Sequence, residues 1–335
     1  MHGRSRVKSA AEVEEAKQKE RSKKLALFQQ LNARVFAKYQ AKEYDDEAFA
    51  LTRELLSRSP EIYTLWNYRR CIMLKRFLQT DCNVQDECKA ELTFLEGCIA
   101  TNPKCYWLWN HRRWLLEQAP KPDWKNELDL TSQFLNRDSR NFHCWDYRRH
   151  VARCASVSLK SEFEFTTAKI EQNFSNYSAW HYRSKLLPMI FADQADSSTI
   201  LESQLHKEFD MVQSACFTEP EDQSAWFYYR WLLGKGKNVA LADTTSSKTT
   251  HQLSPGTREV LESELGAFRE LLELEPDSKW AILTSLLLMH AIDMRAHREE
   301  ILTSLDRLRA VDPCRRRYYN DLRTRLLAEL DAAAQ

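Results

Sequence analysis

Six glycines and nine prolines in 335 residues are too few for the tight turns of an all-β fold, and they point to long helices. An excess of charge is missing too. With 49 basic and 48 acidic side chains, the net charge of +1 offers no global field for nucleic acid or a membrane surface. No apolar run approaches the roughly 20 residues of a membrane span, so no stable membrane insertion is expected. No apolar signal segment follows Met1, and the nine cysteines form no C-x-x-C pair. Reduced thiols and a cytoplasmic location are the expectation. H-E-x-x-H, the P-loop and G-x-S-x-G are absent as well, which argues against a self-contained metallohydrolase or nucleotide enzyme.

Tryptophan, by contrast, is plentiful, with ten copies, and it recurs in similar company. The stretches PEIYTLWNYRR, PKCYWLWNHRR, SRNFHCWDYRR, FSNYSAWHYRS and PEDQSAWFYYR align on Trp66, Trp109, Trp145, Trp180 and Trp226. Three residues before these tryptophans stand Tyr63, Tyr106, Phe142, Tyr177 and Gln223; three after the first four stand Arg69, Arg112, Arg148 and Arg183. The fifth copy slips to Arg230, and worn copies follow from Pro276 and Asp312.

Each motif follows a segment of helical period, such as Leu92, Leu95, Cys98 and Ile99, and itself opens a second helix. Every unit is thus a helical hairpin, and hairpins that cannot bury both faces alone must stack. The expected fold is all-α, an α-α superhelix in which hairpins form a crescent solenoid, as one domain over 1–335. The units fall around 45–78, 88–118, 125–154, 160–189, 202–233 and 258–290, with a degenerate one at 298–330. Ahead of them lies a helical segment, 1–40, opened by a capping box from Ser9 to Glu12. Its stripe of Leu25, Phe28, Leu31, Val35 and Tyr39 is expected to dock on the array. The Ser/Thr/Lys-rich stretch 234–256 has no period and reads as a flexible insertion.

RNFHCWDYRR (140–149) looks reactive, but His143 and Cys144 are adjacent and point to different sides of a helix. Helical spacing brings His143 only Asp146 and Tyr147, and Cys144 only Tyr147 and Arg148, too few ligands for a metal site. The repeated tryptophans read as packing anchors, and each arginine one turn on is placed to stack on an aromatic ring or pair a carboxylate. Residue physics alone leaves a helical-repeat protein whose default role is a partner-binding scaffold.

The recurring P-x-x-Y-x-x-W-x-x-R-R unit resembles the α-subunit repeat of protein prenyltransferases. The opening MHGRSRVKSAAEVEEAKQKERSKKLALF and the copies RNFHCWDYRRHVA and NFSNYSAWHYRSKLLP are similar, within that family, to α subunits of Rab geranylgeranyltransferase. The resemblance implies a subunit that wraps a β subunit, is active only with it, and leaves the zinc and most of the isoprenoid pocket to that chain. It implies transfer of geranylgeranyl from geranylgeranyl diphosphate to C-terminal cysteines of Rab GTPases presented by a Rab escort protein. The family's diphosphate-contacting lysine corresponds to Lys104 in Pro103-Lys104-Cys105-Tyr106, with Tyr106 placed to bond the same group. His143 is implied as a lining residue of the same rim, while Phe142 lacks the hydroxyl of the family's tyrosine. His2 is implied as an extra, inhibitory zinc ligand. The immunoglobulin-like insertion and leucine-rich repeats of vertebrate relatives have no counterpart here. The alternatives are the shared α subunit of farnesyltransferase and type I geranylgeranyltransferase, or a non-catalytic scaffold.

Overall fold

The computed structural model describes residues 11–194, 200–234 and 255–332, and the named elements among them are all helical. His2, Ser9 and residues 235–254 of the insertion lie outside the described residues. The chain divides into two compact units, residues 1–155 and 156–335. The first holds a long helix, α1 (Ala11–Ala41), and three hairpins: α2 (Asp46–Arg58) with α3 (Tyr63–Phe77), α4 (Val84–Thr101) with α5 (Tyr106–Gln118), and α6 (Trp124–Arg137) with α7 (Phe142–Cys154). The second holds four: α8 (Leu159–Gln172) with α9 (Tyr177–Phe191), α10 (Glu202–Thr218) with α11 (Gln223–Leu233), α12 (Pro255–Leu274) with α13 (Lys279–Asp293), and α14 (Arg298–Val311) with α15 (Arg316–Ala332). Within each unit, hairpins stack in the manner of a helical-repeat solenoid.

The turns are short, and the sequence writes both of their ends. Pro60, Pro103 and Pro220 each sit second in the turn, where a helix has to stop. Asp45, Asn83, Asp123 and Ser158 cap the first helices of four hairpins by accepting from backbone N–H groups; Asn141, Asn176, Asp222 and Ser278 do so for second helices.

Each repeat tryptophan is the fourth residue of its helix and is buried. Its indole Nε1 donates to the carbonyl six residues earlier: Pro60, Pro103, Ser139, Phe174 and Pro220, at 2.8–2.9 Å. The side chain thereby ties each second helix to its own turn, and four of the five indoles pack on rings of the following hairpin: Trp66 on Phe94 and His111, Trp109 on Phe134 and Tyr147, Trp180 on Tyr228, and Trp226 on Phe268.

Helix α1 departs from the expected docking. Leu31 and Val35 are buried and Tyr39, though partly exposed, packs its ring on Tyr68 of α3 at 5.3 Å, but Leu25 is exposed and Phe28 is only half-buried. Its main packing partner is α2. The described side chains from Lys17 to Leu27 are all exposed, so the apolar stripe is used over its carboxyl-terminal half alone.

Candidate functional site

The first four repeat arginines are buried, and three of them reach from one hairpin to the next. Arg69 grips Glu91 through Nε and Nη2 at 2.7 Å each, and its Nη1 donates to Phe49 O and Thr52 Oγ1. Arg112 holds Glu127 at 2.7 and 2.6 Å, and Arg183 holds Glu208 at 2.7 and 2.7 Å. A third residue closes each pair from the next second helix: His111 on Glu91, Tyr147 on Glu127, Tyr228 on Glu208. The rings of Phe49 and Phe163 cover Arg69 and Arg183 at 3.9 and 3.7 Å. Arg148 is likewise buried and donates to Thr131 and Ser132. Burial opposes ionisation of Glu91, but the bonds and charge of Arg69, helped by His111, hold its carboxyl well below the usual range.

The fifth copy changes this chemistry. The residue three after Trp226 is Tyr229, whose hydroxyl bonds Glu264 at 2.7 Å, while Arg230 lies one position on and is half-buried. Burial raises the Glu264 pKa, with Tyr229 opposing and Asp210 adding to the rise. The carboxylates of these pairs carry a signal in the sequence that the tryptophan repeat alone does not display. Glu91, Glu127 and Glu208 stand eighteen residues before Trp109, Trp145 and Trp226.

Lys104, Tyr106 and His143 lie elsewhere, at the exposed ends of the same hairpins. Lys104 is 78% exposed, with Nζ 3.9 Å from Asp138 Oδ2. Tyr106 is the first residue of α5, about half exposed, and its ring centroid stands 6.2 Å from that of His143. His143 is half-buried under Phe142, their centroids 4.1 Å apart. Burial pushes the His143 pKa down against the opposing Asp146, Glu61 and a Lys104 backbone group, so the ring is a neutral imidazole near pH 7. Trp107 bridges from Tyr106 (5.1 Å) to Tyr63 (5.4 Å). One aromatic row, Tyr63–Trp107–Tyr106–His143–Phe142, therefore runs along the second-helix ends of the first unit. In the second unit Tyr177, Phe227 and Trp280 form a shorter row at 6.4 and 5.6 Å. The sequence signal for Tyr63, Tyr106, Phe142 and Tyr177 is the aromatic residue three before each of the first four repeat tryptophans; Trp107, Phe227 and Trp280 fall outside that pattern. Helix α5 also has no side-chain cap bond, so its backbone N–H groups meet the row with their positive end.

The description "Protein prenyltransferase alpha subunit repeat" matches residues 45–76, 88–119, 124–155, 159–190 and 205–236, the hairpins that carry these motifs. The "Geranylgeranyl transferase type-2 subunit alpha" of Rattus norvegicus is 37% identical over 434 residues, covering 98% of this chain and 76% of the relative. The chain belongs to the geranylgeranyl transferase type-2 alpha-subunit family. Another member, from Dictyostelium discoideum, is 37% identical over 97% of this chain and 100% of its own length. One from Schizosaccharomyces pombe is 35% identical, at 97% and 98% coverage. A solved structure, "Candida albicans protein geranylgeranyltransferase-I complexed with GGPP", shares the fold at a TM-score of 0.66 and 21% identity, covering 89% of this chain and 90% of that one.

Among the described residues no group of three or more His, Cys, Asp or Glu is placed to hold an ion, and Cys144 is buried with its thiol pKa raised to about 12 by burial. Cys144 Sγ instead donates to Thr131 O. His2 lies outside the described residues. Among the described residues, no helix is long and apolar enough to cross a membrane.

Proposed function

We propose that this chain is the α subunit of a Rab geranylgeranyltransferase and that it supplies the diphosphate side of a site completed by a β subunit. One observation carries the reading. In a type-2 family member, the exposed Lys104 stands two residues before the Tyr106 that opens α5, the rings of Tyr106 and His143 are 6.2 Å apart, and a Lys104 backbone group bonds His143, all beside a helix end with no side-chain cap. That combination suits an anion carrying several charges. As a geranylgeranyl C–O bond breaks, negative charge grows on the departing diphosphate, and a cation held there lowers the barrier. Lys104 is the cation of this set, and its loose contact with Asp138 leaves it free to turn toward such a ligand. Zinc and the isoprenoid pocket belong, on this reading, to the β chain. Activity then requires the complex, with a Rab escort protein presenting the Rab tail.

Co-expression with a type-2 β subunit, followed by a transfer assay on Rab with and without escort, tests this. Escort-dependent transfer is expected. Absence of a co-purifying β chain would support a scaffold, and escort-free transfer to a short C-a-a-X peptide would support the farnesyl or type I assignment.

A further inference from the structure

A chain of polar groups in the first unit connects the buried Arg69–Glu91 pair to the exposed Tyr106. Glu91 Oε1 lies 3.1 Å from His111 Nε2. His111 is fully enclosed, between the rings of Trp66 and Trp114 at 4.7 and 5.3 Å. Its Nδ1 accepts from Arg70 Nε at 3.3 Å. Arg70 Nη2 donates to Asn110 Oδ1 at 2.7 Å and to Asn110 O at 3.1 Å. Asn110 Nδ2 lies 3.3 Å from Tyr106 Oη.

Every direction in this chain is forced. A guanidinium has donors only, so His111 Nδ1 must be an acceptor, and the neutral ring carries its proton on Nε2, facing Glu91. The same logic fixes the amide. Arg70 occupies Asn110 Oδ1, so the NH2 group faces Tyr106 and the phenol oxygen accepts. The single phenolic proton is left to point away from Asn110, free for an outside acceptor.

The arrangement belongs to the second repeat. The residue two after the tryptophan is Tyr147 in the third repeat and Tyr228 in the fifth, and each ends on its glutamate. Histidine has a second ring nitrogen, which extends the relay outward to Arg70. Asparagine one residue after Trp109 then receives it.

We infer that Arg70 and Asn110 are positioning residues that hold Tyr106 as a hydrogen-bond donor toward an anion at the Lys104 rim. The inference rests on the diphosphate reading of that rim. Its test uses the heterodimer with a type-2 β subunit and titration of geranylgeranyl diphosphate binding. Asn110→Asp keeps the shape and still accepts from Arg70, but a carboxylate makes the phenol donate inward. About tenfold weaker binding is expected, with no further loss when the change is made in the Tyr106→Phe background. Asn110→Ala frees the phenol instead, and an about threefold loss is expected, again absent in that background. Unchanged affinity in both Asn110 variants overturns the inference. So does an equal loss with and without the Tyr106 hydroxyl, which would mean charge or packing alone. If Tyr106→Phe itself leaves affinity unchanged, the placement of Tyr106 beside the diphosphate is what fails.

Discussion

Arg112 and Glu127 are both buried, and either charge left alone there is far more costly than the pair is stabilising. Arg112→Ala is expected to destabilise the chain by about 3–5 kcal/mol, read from urea unfolding, whereas replacing both partners with apolar residues of similar volume recovers most of that loss. Glu264 should behave in the opposite sense. Its folded pKa is raised, so the folded chain binds the proton more tightly, and stability falls as pH rises from the ordinary glutamate value through the folded one. Glu264→Gln is therefore expected to raise the melting temperature at pH 7.5 and to give no advantage at pH 4; a lower melting temperature at pH 7.5 would show that the carboxylate is stabilising as a charge. Tryptophan was readable as an anchor because it is large, apolar and periodic. The glutamates were not, because a chain with 29% charged residues makes one more helical glutamate look solvated. Only the bond from a neighbouring hairpin reveals what that carboxylate does.

At the scale of the element, helical period and the motif that opens each second helix made the hairpins legible, and the structure adds the asparagine, aspartate and serine caps at many helix starts. Asn141 does double duty: its Oδ1 caps α7 and its Nδ2 donates to Pro103 O of the preceding turn. Asn141→Ala is expected to cost about 1–2 kcal/mol, with Asn141→Asp keeping the cap and losing only the link between turns. Helix α1 was read less well. Its periodic stripe was visible, but whether a stripe is covered depends on a neighbour, and α2 reaches only its carboxyl-terminal half. Backbone amides from Lys17 to Leu27 should exchange with deuterium much faster than those around Leu31 and Val35, because an unpacked helix of that length is marginal in water. Equal protection along α1 in the isolated chain would contradict this.

At the scale of the whole molecule, one set of repeats carries two kinds of residue. The inward positions, Trp, Arg and Glu, join hairpin to hairpin, while the outward row of aromatics and Lys104 remains available to a ligand or partner. The fold class followed from the tryptophan period. The site was visible only through resemblance, because an exposed lysine in a turn has no signature of its own. The relay through His111, Arg70 and Asn110 depends on contacts between repeats that are forty residues apart. The most direct measurement is single-turnover transfer by the heterodimer carrying Lys104→Ala. The heterodimer should assemble normally while the rate falls by roughly ten- to a hundredfold, as expected for the loss of one charge-stabilising group. An unchanged rate, or a variant that no longer pairs with the β subunit, would contradict the assignment of Lys104 to the diphosphate.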